Sequence, residues 1–114
     1  MGIAERRQRE REERRRAILD AAERLFFSRG YEEVPMDEIA REVELNKATL
    51  YLYFKNKEAL YASIVLRGVA LLQEKFTVCM KSEASGVEKV ILMGQAYYRF
   101  SQEYPEYLRL MHFY

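Results

Sequence analysis

Residues 36–57 read MDEIAREVELNKATLYLYFKNK, and this stretch decides the fold. Pro35, just before it, reads as a helix start, because proline is tolerated in the first turn. Asp37 and Glu38 then suit the positive end of the helix dipole. Ile39, Ala40 and Val43 make the inner face of this short helix. Asn46 is a good N-cap for a second one, since its side chain can accept from the amide of Ala48 or Thr49. Leu50 is the buried position of that second helix, and Phe54 follows four residues on. Two helices this short must cross closely and steeply, which demands a small residue at the contact, and Ala40 supplies it. Leu45 and Leu50 fill the space beneath, and Phe54 closes the core with Leu25 and Phe26. Asn56 can cap a further helix opening at Lys57. This is the layout of a helix-turn-helix reader of duplex DNA.

The chemistry of the outward face fits that layout. Asn46, Lys47, Ala48, Thr49, Leu52 and Tyr53 point away from the expected core. Ala48 and Thr49 are short enough for close approach to a groove floor, and each can touch a thymine methyl. Lys47 can donate to guanine acceptors or to phosphate. Tyr51 and Tyr53 can each donate a phenolic hydroxyl to phosphate. Lys57 stands at a helix N-terminus, where free amides and the dipole already favour an anion. Contacts of the phosphate kind fix register, whereas base-edge contacts specify sequence.

Outward from this centre, Ile18, Leu19, Ala22, Leu25 and Phe26 recur at helical period and predict a first helix over residues 14–29, with Gly30 at its C-cap. The preceding run ERRQREREERRR (residues 5–16) reads either as a solvated helical extension or as a frayed arm. Glu5 with Arg9, Glu10 with Arg14 and Glu12 with Arg16 stand at i,i+4 spacing. A fourth helix is predicted from Lys57 to about Met80, about 35 Å long at 1.5 Å per residue, with a possible kink at Gly68. Ser85 and Glu88 have capping-box spacing and open a fifth helix. Val87, Val90, Ile91, Gly94, Tyr97, Tyr98 and Ser101 trace its small or apolar side. Pro105 ends it and starts a sixth. The last residues are apolar and aromatic with no stop signal, which leads to the expectation that the 114 residues are part of a longer protein. The expected organisation is a charged extension (1–13), a helix-turn-helix domain (14–56), and a connecting helix with the start of a second helical domain (57–114).

Composition narrows the function classes. The chain is 49% hydrophobic and 32% charged, which is a folding composition rather than a disordered one. Net charge is only +1, so charge must be read locally: residues 1–16 hold seven arginines against four glutamates. The single cysteine, Cys79, excludes an internal disulfide and fits a reducing compartment. It reads as a buried small hydrophobe. There is no signal-peptide pattern, and the apolar stretch at residues 59–66 is too short to span a bilayer. His112 lacks ligand company at metal spacing. No phosphate loop, nucleophile elbow or paired-cysteine site is visible. Neither an enzyme nor a cofactor is expected, and the default location is the cytoplasm.

At this point the chain resembles the TetR family of transcriptional regulators. The matching residues are Ile18-Leu19-Asp20-Ala21-Ala22 with Leu25-Phe26, Gly30-Tyr31, Asp37-Glu38-Ile39-Ala40, and the run KATLYLYFKNKEAL from Lys47 to Leu60. The resemblance implies an all-α protein: a three-helix, homeodomain-like DNA-binding domain followed by a helical ligand-binding and dimerisation domain, here incomplete. It implies that the helix over residues 46–53 enters the major groove. It implies DNA contact at Lys47, Thr49, Tyr51, Tyr53 and Lys57, and a phosphate contact by an arginine near Arg15. It implies a homodimer on a pseudo-palindromic operator, repressing until a small-molecule effector moves the fourth helix. Three departures stand out. Val34-Pro35-Met36 replaces the usual threonine or serine that caps the second helix and touches phosphate. Glu44 stands where the turn usually has glycine, which costs about 1–2 kcal/mol if that position is left-handed. The N-terminal extension is long and mixed in charge.

Some residues keep two readings. The aromatic set Phe76, Tyr97, Tyr98, Phe100, Tyr104 and Tyr107, with Phe113 after it, either lines an effector pocket or packs between helices. Residues 6–16 either grip DNA or form a solvated, salt-laced helix. The alternative for the whole chain is a helical ligand-sensing or protein-interaction module that no longer reads DNA, which the Pro35 and Glu44 departures leave standing.

Overall fold

The computed structural model describes residues 2–112, and all regular structure among them is helical: α1 (Ile3–Arg29), a 3₁₀ turn (Tyr31–Glu33), α2 (Met36–Glu42), α3 (Lys47–Tyr53), α4 (Lys57–Lys81), α5 (Gly86–Glu103) and α6 (Pro105–Met111). The chain divides into two compact units, Met1–Ile64 and Val65–Tyr114.

In the first unit, α1 contributes Ile18, Leu19, Ala22, Leu25 and Phe26 to the core. α2 adds Met36, Ile39 and Ala40, α3 adds Leu50, and Phe54 follows. Leu60 and Ile64 of α4 are fully buried in the same unit, which is why it extends eight residues beyond the expected end of the helix-turn-helix stretch at 56. α1 ends at Gly30, whose φ of +93° places it where a side chain is strained and whose N–H bonds to the Phe26 carbonyl at 2.8 Å. α2 is tied back to α1 by Arg24 with Glu42 at 3.3 Å and by Arg29 with Glu38.

α1 begins at Ile3, eleven residues before the start predicted at Arg14, so the extension is helical rather than frayed. Among the described residues, Glu10–Arg14 and Glu12–Arg16 are open. Glu12 instead accepts from the Gln8 amide at 3.4 Å.

The turn between α2 and α3 closes as a Schellman motif. The Leu45 N–H bonds to the Ala40 carbonyl at 2.9 Å and the Glu44 N–H to the Arg41 carbonyl at 3.1 Å. This requires a left-handed residue at position 44, and Glu44 takes it, at φ +58°. The strain expected for a non-glycine residue there is present. Pro35 occupies the N-cap of α2 rather than its first turn, and no side chain caps that end.

In the second unit, α5 turns inward a side different from the one its spacing suggested. Ala96 and Phe100 are buried, while Val87, Val90, Ile91, Tyr97 and Tyr98 are exposed. The helix is apolar around more than half its circumference, and periodicity alone could not choose between the faces. The Ser85 hydroxyl caps α5 by accepting from the Glu88 amide at 3.2 Å. α4 runs unbroken through Gly68. That residue serves close approach: a Cβ there would lie 2.8 Å from Met111 Cε and 2.9 Å from the Tyr107 ring. Cys79 is a free, buried thiol. Among the described residues, no helix is long and apolar enough to cross a membrane.

Candidate nucleic-acid interface

α3 is held by its two ends and one buried residue. Asn46 Oδ1 accepts from the Thr49 amide at 2.8 Å, Leu50 is fully buried, and the Phe54 N–H bonds to the Leu50 carbonyl at 3.1 Å. With seven residues, α3 is too short to be stable alone and takes its position from that packing. Its remaining surface is open. Asn46, Lys47, Ala48, Tyr51 and Leu52 are exposed, and Thr49 and Tyr53 are half-buried. Leu52 is 85% exposed, a large apolar side chain that the first unit leaves in solvent.

Lys47 is not an isolated cation. Its Nζ lies 3.0 Å from Asp37 Oδ1 on α2, with both side chains more than half exposed. The hydrogen bond that Lys47 donates to Asp37, and then the opposite charge of that carboxylate, hold the Lys47 ammonium above its ordinary pKa. An exposed pair of this kind is weak, so it leaves Lys47 able to take another acceptor. Ten residues separate the partners, and nothing in the spacing announced the pair.

Lys57 opens α4, where the Asn56 side chain already takes the Ala59 amide at 2.8 Å. Its ammonium sits 4.3 Å over the Tyr31 ring and 5.8 Å from that of Phe26. Tyr31 is in turn wedged edge-on between Phe26 and Tyr61, with ring centroids 5.1 Å from each. The aromatic faces hold the charge at the helix start and compensate part of its desolvation. Arg15 is similarly engaged: its guanidinium lies 4.9 Å over Phe54 and donates to Ser63 Oγ at 3.5 Å. It braces α1 against the exit of α3. Tyr53 shares a shallow depression with Arg7, Glu10, Arg11 and Arg14 of α1. Arg7 and Arg11 belong to the 6–16 run for which sequence alone leaves open a DNA grip or a solvated helix, and here they share that depression with Tyr53.

The second set of expected residues is dispersed. Phe100 is fully buried and Tyr107 nearly so. Phe100, Tyr104 and Tyr107 form a packed series with centroids 5.4 and 6.1 Å apart. Phe100 and Tyr107 serve the core, and Tyr104 beside them is half-buried. Tyr97 and Tyr98 face solvent, Phe76 is half-buried, and Phe113 lies outside the described residues. A groove along α4, lined by Arg67, Leu71, Glu74, Val78 and their neighbours, includes none of the six.

The first unit is thus a helix-turn-helix domain with an open second helix and cations at both of its ends. Residues 18–64 match the family described as bacterial regulatory proteins, tetR family, and the chain belongs to that family. An uncharacterised HTH-type transcriptional regulator of Mycobacterium tuberculosis is 34% identical over 88 residues, 77% of this chain and 44% of that protein. The HTH-type transcriptional activator FasR of Mycolicibacterium smegmatis is 30% identical over 101 residues, 89% of this chain and 46% of that one. The crystal structure of a TetR-like transcriptional regulator from Rhodococcus sp. RHA1 superposes with a TM-score of 0.69 at 28% identity, covering 85% of this chain and 53% of that one. The chain spans under half the length of these two curated relatives.

Proposed function

We propose that the chain is the DNA-reading part, and the beginning of the sensing part, of a homodimeric transcriptional repressor. α3 enters the major groove. Asn46, Lys47, Ala48 and Thr49 meet base edges and nearby phosphates, while Tyr51, Tyr53 and Lys57 hold the backbone. Arg15 acts mainly by bracing α1, with donors left over for a phosphate. Two copies read half-sites about 34–36 Å apart or a little more on a pseudo-palindromic operator. Residues 14–56 carry the reading head. Residues 57–114 carry the connecting helix and the start of a domain that takes a small, largely apolar effector, and α5 is the element with apolar surface to offer it. Phe76, Tyr97 and Tyr98 remain its candidate contacts. The protein works in the cytoplasm, where its DNA is.

The observation that carries this reading is the open outer surface of α3, with Leu50 fully buried behind it. Surplus lysine or tyrosine on a solvated helix needs no such mounting. The competing reading, a helical module without DNA binding, leaned on Glu44 and Pro35. Glu44 takes the left-handed conformation the turn requires, and α2 forms without a side-chain cap, so neither substitution has cost the domain its geometry. Selection of duplexes from a random pool by the whole chain tests the proposal. The expected outcome is an inverted-repeat motif that Lys47→Ala or Thr49→Ala relaxes, at about 1–3 kcal/mol per lost base contact. Failure to enrich any duplex, or an unchanged motif in both variants, contradicts it.

A further inference from the structure

We propose that Arg7, Arg11 and Arg14 form a second DNA-backbone contact that grips phosphates flanking the half-site read by α3. This rests on the DNA-reading role proposed above and extends it to a segment outside the matched family region, residues 18–64.

The geometry begins with α1 being helical from Ile3. Going back from the buried Ile18, residues 14, 11 and 7 follow at steps of four, three and four, which keeps them on one face of a helix. The stripe that packs the domain core therefore continues beyond the core as arginine. Arg7, Arg11 and Arg14 line one depression with Tyr53, so the basic stripe lies beside the exit of α3. Tyr53 is one of the residues proposed to hold the backbone, and the arginines lie on its side of the domain.

Charge is sorted on this helix rather than mixed. At about 100° per residue, Glu5, Glu12 and Glu13 fall more than about 120° from the centre of the arginine stripe. Glu10 alone lines the same depression, leaving an excess of two positive charges there. None of the three arginines has a carboxylate within 4 Å among the described residues, and all three are exposed. A helix built as a salt-laced spacer would close its i,i+4 pairs, and Glu10–Arg14 is open. Arg7 to Arg14 covers about 10 Å along the axis, the rise of about three phosphates on one strand. The guanidinium fork suits phosphate oxygens bidentately.

Two double variants of the whole chain, equal in net charge, separate a placed contact from general attraction. Arg7→Gln/Arg11→Gln removes the stripe. Arg6→Gln/Arg16→Gln removes the same charge from other faces. Binding is measured against salt concentration on a duplex selected by the wild type, with ten base pairs of flank on each side and again with the flanks trimmed. The slope of log affinity against log salt is expected to fall by about 1.8 per half-site for the first variant, about 0.9 per phosphate contact and so about 3.6 for a dimer on both half-sites, and to stay unchanged for the second. Trimming the flanks should cost the wild type a similar slope and leave the first variant indifferent. Equal slopes for the two variants, or a wild type insensitive to trimming, overturns the proposal and leaves α3 as the reader. A wild type that binds no duplex overturns the DNA-reading role as well.

Discussion

Replacing Glu44 by glycine should stabilise the protein, and the size of the gain follows from the turn. Glu44 stands at φ +58° because the Schellman closure of α2 needs a left-handed residue there. An L residue in that conformation costs about 1–2 kcal/mol. Glycine removes the cost but loses more backbone entropy on folding, about 0.5–1 kcal/mol. Glu44 also sets a carboxylate just past the negative end of α2, and its removal returns about 0.3 kcal/mol. The net gain is about 1 kcal/mol, or about 4–8 °C for a unit of this size. Urea and thermal unfolding of the whole chain, followed by helix circular dichroism, would read it as a raised midpoint with unchanged m-value. Glu44→Ala is the control: it removes the charge and keeps the Cβ, so it should recover only the dipole contribution. A glycine variant less stable than wild type, or no better than the alanine variant, would refute the strain argument.

Further outcomes follow from other contacts. Asp37→Asn releases Lys47 from its partner at 3.0 Å and removes a negative charge beside the duplex, so affinity at low salt should rise roughly threefold or more, and a fall in gel-shift affinity would count against the assigned face. Because Asp37 raises the Lys47 pKa above its ordinary 10.5, the lysine stays charged through neutral pH and its contribution is lost only as pH climbs through that raised value. The affinity ratio of wild type to Lys47→Ala should therefore be flat from about pH 6 to 9, and fluorescence-anisotropy titrations at several pH values would expose any drift. Lys57→Ala should lower the salt slope by about 0.9 per half-site and, by uncovering Tyr31, cost about 0.5–1 kcal/mol of stability; a changed stability with an unchanged slope would leave Lys57 a purely structural role. Gly68→Ala drives a Cβ to 2.8 Å of Met111 and 2.9 Å of the Tyr107 ring. It should destabilise by about 1–2 kcal/mol despite alanine's better helix propensity, and neutrality in urea unfolding would mean that α6 does not lie on Gly68.

The parts of the molecule legible in the sequence are those written in local chemistry. Asn46, Asn56 and Ser85 announce helix starts because their side chains accept from amides three residues on, and all three do so. Gly30 marks a helix end because its backbone conformation excludes a side chain. The core of the first unit is readable because Ile18, Leu25, Ile39 and Leu50 fall on the inner faces of their helices, with Phe54 one step beyond α3. What sequence spacing could not give is partnership at a distance. The hold of Asp37 on Lys47, the aromatic bed under Lys57 and the stacking of Arg15 on Phe54 all join residues on different elements. The extent of α1 was hidden for another reason: residues 5–16 carry too few apolar side chains to show a period, and the helix there persists as a continuation of a packed one. The inward side of α5 was hidden because two of its faces are apolar.

DNA reading by this chain depends on α3 presenting its outer side to the duplex. Its most direct test is hydroxyl-radical and methylation-interference footprinting of the whole chain on a selected duplex. Protected sugars should flank two major-groove segments about one helical turn or a little more apart. Methylation of guanine N7 within those segments should block binding, and Lys47→Ala should lose that interference. Protection confined to the minor groove, interference unchanged in the Lys47 variant, or no footprint at low salt would contradict it.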